Sequence, residues 1–106
     1  MIGAMAENFI LQSLITQFDA PPRYWSSDGK AEVDFIVQRG EDIFPIEVKS
    51  GQAVSGKSLF VYNILYNPKL RIRYSMNNLK LDDNLLNIPM FLTDWSDKLI
   101  GLASSI

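Results

Sequence analysis

The chain has 106 residues, 47% hydrophobic and 21% charged, the balance of one globular domain with a modest core. Its 10 Lys and Arg against 12 Asp and Glu argue against strong nonspecific DNA affinity by charge alone, since such binding rests on Lys and Arg displacing counterions, and leave room for a local basic patch. Having no cysteine and no histidine, it excludes disulfides, ordinary zinc sites, thiol nucleophiles and Ser-His triads. Hydrolytic chemistry is left to carboxylates, Lys, Ser, Thr and Tyr, and any metal to carboxylate oxygens, the ligands of Mg²⁺ or Mn²⁺.

Residues 4–18, AMAENFILQSLITQF, set Met5, Phe9, Ile10, Leu14 and Phe18 at helical spacing, and Asp19 with Pro21-Pro22 stops the helix. RYWSS (23–27) reads as a short strand, and Ser26 to Lys30, with Gly29, as a turn. AEVDFIVQ (31–38) and IFPIEVK (43–49) read as strands bounded by turn signals. A Gly/Ser-rich link leads into SLFVYNILY (58–66), apolar nearly all round and so expected as a buried helix, which Asn67-Pro68 ends. KLRIRYSM (69–76) alternates, with Leu70, Ile72, Tyr74 and Met76 on one face and Lys69, Arg71, Arg73 and Ser75 on the other, the pattern of a half-buried strand. LLNI (85–88) reads as a short strand. Pro89 then opens a last helix with Leu92, Trp95, Leu99 and Leu102 at helical spacing.

The order α-β-β-β-α-β, with a further strand and helix, places the chain in the α/β class with a mixed sheet. Residues 31–38 and 43–49 form a hairpin, and 43–49 and 69–76 are parallel neighbours across the intervening helix. Residues 1–106 read as a single domain. No apolar run approaches the 18 or so residues of a membrane helix, and the N-terminus lacks the basic segment of a signal peptide. The expected address is cytoplasmic.

Within the hairpin, Gly40-Glu41 fits a two-residue turn, because a type II′ turn takes Gly first. That register sets Arg39 opposite Asp42, Ile36 opposite Pro45, Asp34 opposite Glu47 and Glu32 opposite Lys49. Residues two apart share a face, so Asp34 and Glu47 become close neighbours whose like charges repel. Two compensations are open: Lys49, in a structural ion-pair network, or a divalent cation. Glu7 shares a helical face with Leu11, Leu14 and Phe18, and a carboxylate on an apolar stripe is costly to bury without a partner. It is expected to point at the same centre as Asp34 and Glu47.

Gly51 to Ser58 spells G-x-x-x-x-G-K-S, the pattern of a phosphate-cradling P-loop, between a strand and a helix. Three features oppose that reading of Lys57 and Ser58. Glu47 and Lys49 interrupt a strand that should be continuously apolar. Strand 43–49 pairs antiparallel with 31–38. The only Asp closing an apolar stretch is in MFLTD (90–94), which reads as a helix. The plainer reading is a polar link, with Ser55 or Ser58 capping the helix.

The set of Glu7, Asp34, Glu47 and Lys49 resembles the PD-(D/E)xK nuclease-like superfamily. Over nearly the whole chain the sequence resembles the domain of unknown function found C-terminal to AAA+ ATPases in bacteria and archaea. The matching pieces are Gly3-Ala4-Met5-Ala6-Glu7-Asn8, Glu32-Val33-Asp34-Phe35, Pro45 to Lys49, Lys57-Ser58-Leu59 with Tyr62, and Asn87-Ile88-Pro89. The resemblance implies a restriction-endonuclease-like core in which Asp34 and Glu47 hold Mg²⁺ or Mn²⁺, with Glu7 as a third or water-mediated ligand. A backbone carbonyl near Ile46 or Val48 would complete the shell. Lys49 would orient the attacking water and steady charge on the phosphate. Lys69, Arg71 and Arg73 would form a phosphate patch for DNA, their plainer reading being a solvated strand face. Trp25 and Trp95 read as core or interface residues. The resemblance also implies that the chain is the C-terminal piece of a longer ATPase, the part that would bind ATP lying outside it. Two functions follow as expectations: Mg²⁺-dependent hydrolysis or binding of DNA, or a non-catalytic interaction module of that ATPase.

Overall fold

The computed structural model describes residues 2–27, 31–51 and 57–106. The elements run α1 (Ile2–Gln17), β1 (Arg23–Ser27), β2 (Ala31–Arg39), β3 (Asp42–Val48), α2 (Lys57–Tyr66), β4 (Arg71–Ser75), β5 (Lys80–Asp82), β6 (Leu85–Pro89), a 3₁₀ segment Met90–Trp95, and α3 (Ser96–Ser104). The strands form one six-stranded sheet in the order β1-β2-β3-β4-β6-β5. β3 to β4 and β4 to β6 are parallel and the other neighbours antiparallel, so the sheet is mixed, as the sequence implies.

The β2–β3 hairpin takes the expected register, from Arg39 opposite Asp42 to Phe35 opposite Ile46. Gly40 carries a φ of 63° and Glu41 no positive φ, the combination a type II′ turn requires. β3 lies between β2 and β4, and Phe44, Pro45, Ile46 and Glu47 are all buried. Pro45 sits opposite Ile36 in one ladder, and the ladder to β4 starts only at Ile46, so neither asks for the missing N–H.

Two clusters occupy the two faces of the sheet. On one face, Ile10 and Leu14 of α1, Phe18 just past its end and Ile100 of α3 pack on Phe35, Phe44, Ile46, Ile72, Tyr74 and Ile88. On the other, Leu59 and Tyr62 of α2 pack on Val33, with Trp25, Ile36 and Leu85 partly buried beside them. Trp25 meets the rings of Tyr62 and Tyr66 edge-on, at 5.0 and 5.8 Å between centroids. Trp25 is thus a core-edge residue, whereas Trp95 is exposed.

Several expectations are corrected. α2 is not buried all round: Leu59 and Tyr62 are covered, while Phe60, Ile64, Leu65 and Tyr66 are each more than half exposed. Met5 and Phe9, counted with the core stripe of α1, are turned away from Ile10 and Leu14 and exposed; they lie about 100–180° round the helix from them. Met76 lies past the end of β4 and is exposed. β5 is an addition, and with the expected strand β6 it forms a hairpin. Its turn falls at Asp83-Asn84, where Asp83 takes a φ of 55°, a conformation that short polar side chains tolerate. The last helix comes in two pieces because residues 90–95 wind as 3₁₀ before α3 begins. Gln17 joins this region to α1: its Oε1 accepts the Asp97 N–H at the start of α3, and its Nε2 donates to the Thr93 carbonyl. No helix among the described residues is long and apolar enough to cross a membrane.

Candidate functional site

Glu47 is the most buried acid among the described residues, 6% exposed. β3 and β4 put it directly opposite Arg73 in a parallel pair, on the face away from Ile46 and Ile72. Arg73 Nε donates to Glu47 Oε2 at 3.1 Å, and Lys49 Nζ approaches Glu47 Oε1 at 3.5 Å. Each carboxylate oxygen therefore faces a cation. Lys49 is also fixed through its backbone, since its N–H donates to the Tyr74 carbonyl at 2.8 Å.

Asp34 is held differently. Between Arg23 opposite Ile36 and Trp25 opposite Val33, β1 advances two residues while β2 advances three. β2 therefore carries an extra residue at Asp34-Phe35, a β-bulge. The bulge reverses the alternation: Val33 packs with α2 and Phe35 with α1, though they are two residues apart. The described ladder to β3 stops at Phe35 opposite Ile46, one step short of the expected Asp34–Glu47 pair. Asp34 Oδ2 instead accepts the Val48 N–H at 2.7 Å. The side chain thus supplies an acceptor where the bulge has interrupted the backbone ladder.

Glu7 is half-buried, as its place on α1 predicts. It lines a cavity of about 390 Å³ with Asp34, Tyr24, Trp25, Ser26 and Val33. Glu7 and Asp34 thus line one cavity, Glu47 meets Lys49 and Arg73, and Asp34 reaches the Val48 amide that lies between Glu47 and Lys49 in the chain. Among the described residues no three acidic side chains gather closely enough to hold a metal ion. Glu47 faces a cation at each oxygen, and Asp34 gives one oxygen to a backbone amide.

The three cations of the expected phosphate patch are each engaged within the protein. Lys69 Nζ lies 3.3 Å from Asp42 Oδ2, Arg71 Nε donates to Asn84 Oδ1 at 2.9 Å, and Arg73 holds Glu47. Burial lowers the Arg71 pKa, with Asp83 partly opposing that shift. The central residues of the P-loop-like stretch, 52–56, lie outside the described residues; Lys57 opens α2, with Ser58 next. The sequence reading did not identify Arg73 as the partner of Glu47. The alternation in KLRIRYSM put Arg73 on a polar face, but a parallel register cannot be read from two strands separated by a helix.

A family model described as a domain of unknown function (DUF4143) matches residues 2–91. Comparison with curated proteins and with solved structures returns no match.

Proposed function

The chain belongs to the DUF4143 family, and on that premise we propose that it is a non-catalytic, partner-binding module of an ATPase, built on a PD-(D/E)xK nuclease-like fold. The observation that carries the proposal is the outer face of α2. Phe60, Ile64, Leu65 and Tyr66 are each more than half exposed; Phe60 and Ile64 stand one turn apart, and Leu65 and the half-buried Val61 form a second such pair beside them, so the patch is contiguous. A patch of this kind on a small domain marks a docking surface. The engagement of Glu47 by Arg73 and Lys49 supports the absence of catalysis. The ATPase link rests on the resemblance carried by Glu7-Asn8, Glu32 to Phe35, Pro45 to Lys49 and Asn87 to Pro89.

The test has two arms. The chain is incubated with duplex and single-stranded DNA in Mg²⁺ or Mn²⁺, and its ability to bind the ATPase body supplied in trans is measured. The proposal expects no metal-dependent cleavage, and binding that Ile64→Glu abolishes without lowering the melting temperature. Metal-dependent cleavage lost in Glu47→Gln would overturn it. A second reading, metal-dependent phosphodiester hydrolysis, is favoured by one observation: Glu7 and Asp34 line the same cavity. The cleavage arm decides between the two.

A further inference from the structure

We propose that a cavity over β4, β6 and β5 binds a small organic oxyanion, a carboxylate or phosphate on a short apolar body. The cavity measures about 400 Å³ and is lined by Arg73, Asn77, Asn78, Leu79, Lys80, Asp82, Leu85 and Asn87. The register explains the convergence. Arg73 is opposite Asn87, Asn87 opposite Lys80, and Leu85 opposite Asp82. These side chains therefore share the sheet face that also carries Glu47, and α2 packs chiefly on β2 and β3.

Arg73 is the anchor. Its Nε is engaged by Glu47 and its side chain is only 17% exposed, so the guanidinium is held in one orientation. Its terminal nitrogens have no acceptor among the described residues. A guanidinium fixed along one edge presents a preorganised pair of donors along the other, the geometry that matches carboxylate and phosphate. Lys80 adds a second cation, with no ion-pair partner among the described residues.

The wall is rigid as well. Asn87 Oδ1 accepts from Ser75 Oγ, and Asn87 Nδ2 donates to the Asn77 and Asn78 carbonyls at 3.1 and 3.0 Å. Ser75 Oγ in turn accepts the Asn77 N–H. This network pins the turn that closes the cavity, so little ordering remains for a ligand to supply. Leu79 and Leu85 give apolar contact for the body of the ligand. Asp82, the one acid in the lining, disfavours a second anionic group and accepts from a ligand donor. The cavity is independent of the partner-binding proposal, which rests on α2.

The experiment titrates the ¹⁵N-labelled chain with butyrate, butyl phosphate and butylamine at constant ionic strength, following Arg73 Nε–H and the Asn77, Asn78 and Lys80 amides by NMR. The proposal expects saturable shifts confined to this cavity with butyrate, butyl phosphate or both, and the choice between them identifies the oxyanion. Lys80→Gln should weaken binding roughly tenfold, the value of one charge-assisted contact, while Lys69→Gln should leave it unchanged. Arg73→Gln should abolish binding; Lys80 is exposed, so its variant remains informative if Arg73→Gln fails to fold. Equal response to butylamine, equal loss in Lys69→Gln, or no saturable shift would overturn the proposal.

Discussion

Arg73 Nε reaches Glu47 Oε2 at 3.1 Å from the neighbouring parallel strand, where the two residues are direct register partners. The pair sits on the middle strands of the sheet, and Lys49 approaches the other Glu47 oxygen. The acid of the E-x-K text is thus tied to a cation from β4 that the text does not contain. A buried pair adds little net stability against an apolar substitute, but losing one member strands the other.

Arg73→Ala should therefore destabilise the chain by about 2–4 kcal/mol, because Glu47 keeps only the more distant Lys49. In a Glu47→Gln background the same substitution should cost markedly less, since no buried charge is left behind. Urea unfolding of the four proteins gives the coupling. Equal costs in both backgrounds would show that the pair is not what positions Arg73.

A second prediction concerns Tyr74, fully buried on the α1 face. Ser96 Oγ donates to the Thr93 carbonyl, so the 2.6 Å contact between Tyr74 and Ser96 has the tyrosine as donor. Burial raises the Tyr74 pKa from its ordinary 10.0. The folded state keeps the proton when the unfolded chain has lost it. The stability from this group is complete below pH 10 and is lost as pH rises above that value, by up to about 1.4 kcal/mol per pH unit. Tyr74→Phe should cost about 1 kcal/mol at neutral pH and flatten the decline at alkaline pH. Urea midpoints from pH 8 to 11 report both effects.

The parts of the fold legible in the sequence are those set by local signals. Gly40-Glu41 determines the hairpin register, and alternation in KLRIRYSM identifies β4 and its buried face. The half-buried place of Glu7 follows from helical spacing on α1. What was not legible depends on contacts distant in the chain. The bulge at Asp34-Phe35 arises where β1 and β2 advance unequally, and AEVDFIVQ carries no glycine or proline to announce it. The outer face of α2 reads as core because apolarity alone does not say whether a cover exists. The three-residue β5 is too short for periodicity to declare.

Gly40 supplies a third prediction. Its φ of 63° is one that L side chains rarely adopt, though a Cβ there would meet nothing within 4 Å. The penalty of Gly40→Ala is therefore purely conformational, about 1 kcal/mol. Gly40→Asn should recover part of it, because Asn tolerates positive φ. A thermal melt of the two variants beside the wild type checks the order Gly above Asn above Ala.

The last prediction separates a structural from a metal-binding Asp34. The carboxylate accepts the Val48 N–H at 2.7 Å beside the bulge. Asn keeps a side-chain acceptor of the same reach, so Asp34→Asn should leave stability within about 0.5 kcal/mol of wild type. Asp34→Ala removes the acceptor and strands a part-buried amide, at about 1–3 kcal/mol. Added Mg²⁺ or Mn²⁺ should move none of the three melting transitions. A metal site would give another pattern. At metal near ten times its dissociation constant, the wild type would gain about 1.4 kcal/mol, roughly 5–10 °C for a domain of this size, and both variants would lose that gain alike. Calorimetry of the three proteins with and without metal therefore turns on one comparison, whether Asn behaves as Asp or as Ala. Agreement with Asp and indifference to metal assigns Asp34 to the β2–β3 ladder. Agreement of Asn with Ala, together with a metal-dependent wild type, would return it to a catalytic centre.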